Sequence, residues 1–231
     1  MKNKPKFDSF STEIKDFFFE LKENNNKLWF DEHRNFYEKE IKAKARLFVE
    51  ELEKIFFNNN LAFISNSKNS LFRINRDIRF SKDKSPYKTN LGFFFPYNNK
   101  FSIINKDYPL GLYFHYELNN SFFANGIYKP ANEHLKNIRY LIADEYDEYL
   151  NIINDENFKK HFPEMMDNDN FSKRIAGFSN NHRAFEHLKR KNFVYMGKID
   201  DNLFFNNNLL DIVLHKAKIS EKFNEFFNQA I

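Results

Sequence analysis

The chain has 231 residues, enough for one large domain or two small ones and for a core that needs no covalent staples. It has no cysteine, which excludes disulfides, thiolate metal sites and cysteine nucleophiles, and 36 basic against 32 acidic residues leave a net charge of +4, too balanced to point to nucleic acid on its own. No stretch approaches the ~18 consecutive apolar residues of a membrane span, and the basic start Met1-Lys-Asn-Lys-Pro-Lys has no apolar run behind it, so a soluble, cytoplasmic protein is expected. The 31 Phe suggest stacking platforms, but Asn, Lys and Ile are abundant too. Compositional drift in an AT-rich genome accounts for all four, with Phe packing the core where Leu usually does.

Two helices come first. Ser9 or Ser11 is placed to cap the opening one, and Phe10, Ile14, Phe17, Phe18 and Leu21 recur at helical spacing. Asn24-Asn-Asn breaks the pattern. A longer helix is predicted over 28–57, with Phe30, Tyr37, Ile41, Phe48, Leu52, Ile55 and Phe56 as its apolar stripe and charged residues opposite. Asn58-Asn-Asn ends it, since Asn tolerates unusual backbone angles.

Strands are predicted over 61–64, 71–80, 88–97 and 110–118. Asn119-Asn120 reads as a tight turn returning 122–128 as a hairpin. Consecutive strands joined by short loops imply an antiparallel sheet. Helices resume after Pro130, with Leu135, Ile138, Leu141, Ile142 and Tyr149 as the stripe, then a short one over 156–162. Residues 163–181 read as irregular, 182–190 as a short helix, 192–199 as a strand, and 207–227 as a last helix or pair of helices. Helices, then strands, then helices with a late strand make an α+β pattern, a mainly antiparallel sheet packed by N- and C-terminal helices, in a single domain spanning 1–231.

Chemistry concentrates in 71–88. On a regular strand Arg73, Asn75, Asp77 and Arg79 would share one face, with Phe72, Ile74, Ile78 and Phe80 on the other and Arg76 among them. Guanidinium forks suit phosphate and carboxylate, and the following turn adds Lys84, Tyr87 and Lys88 around Pro86, which fixes the backbone. The anion-binding candidates are therefore Arg73, Arg76, Arg79, Lys84 and Lys88. Asp77, His115 and Tyr87 are the candidates for proton chemistry. The plainer alternative is an ion-pair ladder of Arg73, Asp77 and Arg79 beside a solvated turn, with Arg76 held by a buried acid.

The fourth strand presents Tyr113, His115 and Glu117 on one face. No compact His/Asp/Glu spacing supports a metal site. Walker, dinucleotide and nucleophile-elbow signatures are missing, and with 5 Gly a glycine cradle for phosphate is not expected. No cofactor is indicated. Lys189-Arg190-Lys191 either ends a helix favourably or extends a basic surface with Arg174 and Arg183.

Several motifs carry a resemblance. They are Asn24-Asn-Asn-Lys-Leu-Trp-Phe30 with His33-Arg34 and Tyr37, Arg76-Asp-Ile-Arg-Phe80 leading into Asp83-Lys-Ser-Pro-Tyr-Lys88, Gly111-Leu-Tyr-Phe-His115, and Gly126-Ile-Tyr-Lys-Pro130. Gly177-Phe178, His182, Leu188 and Lys191 follow in the same order. The chain resembles the bacterial and fungal family called domain of unknown function 2461. A family-typical Gly-rich stretch is replaced here by Ser121-Phe-Phe-Ala-Asn. The resemblance implies one full-length domain and no particular reaction.

Three functions remain, in this order: an enzyme acting on a phosphorylated or carboxylated small molecule or a nucleotide, a nucleic-acid-binding module, and a non-catalytic scaffold. The first predicts convergence of the named side chains in a concave pocket. The second predicts one basic face joining the motif to 189–191, and the third an Arg matched everywhere by an acid. Oligomeric state is not legible.

Overall fold

The computed structural model describes residues 6–98, 110–166 and 175–231. Helix α1 (Glu13–Glu23) buries Ile14, Phe17, Phe18 and Leu21, the stripe its spacing predicts. Of the two capping candidates, Ser11 is the one engaged, its hydroxyl accepting the Glu13 N–H at 3.3 Å. Asn26 then caps the next helix by accepting the Trp29 N–H at 3.0 Å.

The long helix predicted over 28–57 is present as three contiguous pieces: α2 (Lys27–Phe36), a π-helical turn (Tyr37–Lys42) and α3 (Ala43–Asn58). Tyr37, Ile41, Ala45 and Val49 are all buried. Steps of four residues drift by about 40° each on an ideal α-helix. A wider turn at Tyr37–Lys42 reduces that drift and keeps the stripe on the core. Left-handed backbone at Asn60 (φ 55) and Asn119 (φ 63) bears out the reading of the Asn-rich breaks as turns.

The sheet runs β1 (Asn90–Pro96), β2 (Leu110–Glu117), β3 (Phe122–Ile127), β4 (Glu164–Met165) and β5 (Phe193–Lys198), in the spatial order β1-β2-β3-β5-β4 with every pairing antiparallel. Helices α4 (Asn132–Asp144), α5 (Tyr146–Asn154), α6 (Glu156–His161) and α7 (Phe185–Leu188) lie between β3 and β5 in sequence. A 3-10 turn (Asp201–Phe205) leads into one long terminal helix, α8 (Leu209–Asn228). The fold is thus α+β with helices at both ends of the chain.

Strict alternation divides the sheet. Phe93 and Phe95 on β1, Phe114 and Tyr116 on β2, and Phe123 on β3 turn toward the helices. Phe48 packs against Phe93 and Phe114, Phe56 against Phe95, and Phe18 against Tyr116. Asn125 points the same way, accepting a hydrogen bond from the Asn224 side chain of α8 at 2.8 Å. The intervening residues form the opposite face.

Two predicted strands are corrected. Residues 61–64 make a single bridge, Phe63 to Tyr97, and 71–80 make two isolated bridges, Leu71 to Phe93 and Asn75 to Tyr87. The cause is local. Asp77 accepts the Arg79 N–H, Asp83 accepts the Ser85 N–H at 2.9 Å, and the Lys84 ammonium donates to the Ile78 carbonyl at 2.9 Å. These side chains take backbone groups that a ladder would need, and Pro86 has no N–H to give. The two-face alternation drawn for 71–80 therefore does not hold: Ile74 is buried, but Phe72 is exposed and Phe80 is 95% exposed. Within 163–181, Glu164–Met165 pairs with β5 as a short edge strand, and residues 167–174 lie outside the described part of the chain, with the candidate Arg174 among them.

Candidate functional site

The sheet face turned away from the helices floors a pocket of about 880 Å³, and 72–89 supplies a wall. Register places the floor in rows: Asn90 with Glu117; Gly92, His115 and Phe122; Phe94, Tyr113 and Ala124; Gly111, Gly126 and Val194. The last row opens the floor down to backbone. Gly126 has φ +137, a conformation L side chains avoid, and a Cβ there would meet the Phe193 carbonyl oxygen at 1.9 Å.

One polar cluster stands on β2. The Tyr113 hydroxyl lies 2.8 Å from His115 Nδ1, and His115 Nε2 lies 3.4 Å from a Glu117 carboxylate oxygen. The imidazole stacks on Phe122 at 4.6 Å and is only 8% exposed. Burial lowers its pKa more than Glu117 raises it, so the ring is neutral at neutral pH. Burial pushes the Tyr113 phenol up to about 12. Glu117 accepts hydrogen bonds from the Asn120 side-chain amide at 2.8 Å and from the Thr89 hydroxyl at 3.5 Å. Gly92 leaves the room the phenol occupies, since a Cβ there would lie 2.6 Å from the Tyr113 oxygen.

The wall brings Phe72, Arg76, Asp77 and Lys88 to the pocket. The Lys88 ammonium sits 5.1 Å from the centre of the Phe72 ring, half-buried and with no acid partner among the described residues. Burial, with Arg73 and Arg76 close by, lowers its pKa. Arg76 is ion-paired with Asp83, whose carboxyl is held at about 2 by the Ser85 hydroxyl and N–H and by that guanidinium. Asp77 is likewise held at about 2, first by the Arg79 guanidinium at 2.7 and 2.9 Å.

The eight candidates therefore separate. Arg76, Asp77, Lys88 and His115 line the pocket. Arg73 is exposed, and Arg79 is an exposed partner of Asp77. Lys84 clips its own loop at Ile78. Tyr87 turns the other way: it is buried, stacks on Phe30 at 4.0 Å, and its backbone exchanges two hydrogen bonds of 3.0 Å with the Asn25 side chain. It is not among the residues that line the pocket. Tyr113 and Glu117, read from sequence as sharing a polar strand face with His115, line the same pocket. Their spacing of two along a strand is the signal that shows it. No group of three or more His, Cys, Asp or Glu able to hold a metal ion occurs among the described residues.

The second basic cluster is largely engaged. Lys189 pairs with Glu186, Arg183 pairs with Asp147 at 2.9 Å, and Lys189, Arg190 and Lys191 are all partly buried.

These features define an α+β domain on an antiparallel sheet, with helices against one face and a ligand-sized pocket on the other. No helix is long and apolar enough to cross a membrane among the described residues. The chain belongs to the family described as conserved hypothetical protein (DUF2461), whose model matches residues 13–226. No curated protein and no solved structure matches it.

Proposed function

We propose that the protein binds a small anionic molecule in this pocket, a carboxylate or phosphate, and acts on it as an enzyme. The acid group docks at Lys88 beside Arg76, and an apolar or planar body lies across Phe72, Phe94 and the glycine row. The observation that carries this reading is Lys88, a half-buried ammonium that opens on a pocket and lacks an acid among the described residues. A cation removed from water in this way costs free energy unless an anion meets it. The pairs Arg79–Asp77 and Arg76–Asp83 belong to the scaffold that shapes the wall. The nucleic-acid reading is the weaker one, because 189–191 offers no open basic stripe.

A thermal-shift screen of sugar phosphates, nucleotides and aromatic carboxylates tests this, with Lys88→Met alongside. An anion near a hundredfold its Kd should raise the melting temperature of the parent by roughly 5 to 10 °C. Lys88→Met should lose that shift while its own stability stays within about 1 kcal/mol of the parent, since the variant removes a desolvated charge. The reading fails if no anion shifts the parent, or if Lys88→Met responds as the parent does.

A further inference from the structure

We infer that Tyr113, His115 and Glu117 form a proton relay whose reacting atom is the Tyr113 hydroxyl oxygen, and that the ligand is an anion carrying a hydroxyl group that meets this oxygen. The inference rests on the anion-pocket reading and specifies its ligand.

The order of the relay follows from its partners. Glu117 is the acceptor for the Asn120 amide and the Thr89 hydroxyl. A carboxylate so placed accepts from His115 Nε2, which fixes the proton of the neutral imidazole on that nitrogen. Nδ1 is then an acceptor, and the Tyr113 hydroxyl at 2.8 Å donates to it. The phenolic proton is committed to His115, so the phenol can face a ligand only as an acceptor. A ligand that brings a donor to this point is matched, and one that lacks it leaves the oxygen unpaired.

The same geometry moves a proton in one direction. The O–H bond of the ligand breaks and its proton passes to the Tyr113 oxygen. The phenolic proton passes in the same event to His115 Nδ1. The resulting imidazolium keeps its Nε2–H against the Glu117 carboxylate, and the negative charge is left on the ligand oxygen at Tyr113, in a pocket that Lys88 and Arg76 also line. Atoms and charge balance with no further reactant. Tyr113 touches the ligand, and His115 and Glu117 act through it as positioning residues. The arrangement parallels the nucleophile–imidazole–carboxylate order of hydrolytic triads, with a phenol in the first place.

Two measurements test the relay. Nitrogen-15 NMR of histidine-labelled protein reads the tautomer without any ligand. His115 should be neutral at pH 7 with its proton on Nε2, and a proton on Nδ1 would overturn the inference. Binding is then compared for pairs differing in one hydroxyl: 3-phenyllactate against 3-phenylpropionate, and glycerol 3-phosphate against propyl phosphate. The hydroxylated member should bind the parent roughly tenfold more tightly in at least one pair, the worth of one well-placed hydrogen bond. Tyr113→Phe should erase the preference while still binding both members. Glu117→Gln, which keeps the shape of the side chain, should reduce the preference and serves if Tyr113→Phe does not fold. Equal binding of both members to the parent leaves the anion pocket standing and removes the relay. If neither pair binds, the relay inference falls, while the anion-pocket reading stands or falls with the thermal-shift screen.

Discussion

At the scale of single residues, the site depends as much on what is missing as on what is present. Gly92 has no side chain where one would collide with Tyr113, and the cross-strand partner of Gly92 is His115. Adding a methyl group in a strand normally helps by restricting the unfolded chain. At this position it would push the phenol away from the imidazole. Gly92→Ala should therefore fold, at a cost of about 1–3 kcal/mol for the crowding. It should alter the nitrogen-15 signature of His115 and abolish discrimination between hydroxylated and deoxy ligands. An unaltered His115 signature in the folded variant would show that Gly92 does not hold the phenol in place. Of the sequence candidates, Arg76, Asp77, Lys88 and His115 could be singled out because charge and proton chemistry reside in residue type, and they line the pocket. Tyr87 does not, because its ring and its backbone are both claimed by partners more than fifty residues away, Phe30 and Asn25.

At the scale of elements, periodicity was readable wherever packing sets the structure. The stripe of α1, the alternation of β2 and the hairpin turn at Asn119 follow from apolar spacing and turn chemistry. It failed over 71–80, where carboxylates and an ammonium bind the backbone that would have made a ladder. The packing of α8 on α6 has a measurable signature of its own. Lys216 on α8 is only 8% exposed, 3.2 Å from His161 Nδ1 and between the rings of Phe123 and Phe162. Burial lowers the pKa of Lys216 to about 8 and that of His161 to about 4. Both are bases that bind protons more readily when unfolded, so stability rises with pH across each gap. Chemical denaturation should show stability climbing above pH 8 through Lys216 until the buried tyrosines, whose folded pKa is raised, reverse it near pH 10, and falling as pH drops from 6.5 toward 4 through His161. Lys216→Met should flatten the alkaline rise and stabilise the protein at pH 7 by about 1–3 kcal/mol. An alkaline rise that survives the substitution would assign it to another group.

At the scale of the whole molecule, one hydrophobic cluster includes Phe7 and Phe10 near the start and Phe226, Phe227 and Ala230 near the end. Phe10 stacks on Phe204 at 4.1 Å, joining the segment before α1 to the segment before α8. With both ends in one cluster, the chain should unfold in one transition, with near- and far-ultraviolet circular dichroism and the fluorescence of Trp29 changing together. Separated transitions would show two units. The antiparallel α+β class was legible from element order and short loops, and a basic pocket on the sheet could be expected, but its lining could not be read, because it depends on where a loop from one part of the chain meets a face of another.

That loop is not held by its own backbone alone. The Asn25 amide donates to the Tyr87 carbonyl and accepts the Tyr87 N–H, as a neighbouring strand would. One side chain between two helices thus acts as a one-residue strand, pinning the wall of the pocket to the α1–α2 hairpin. No residue of that helix pair lines the pocket, so its wall is anchored from outside the site it shapes.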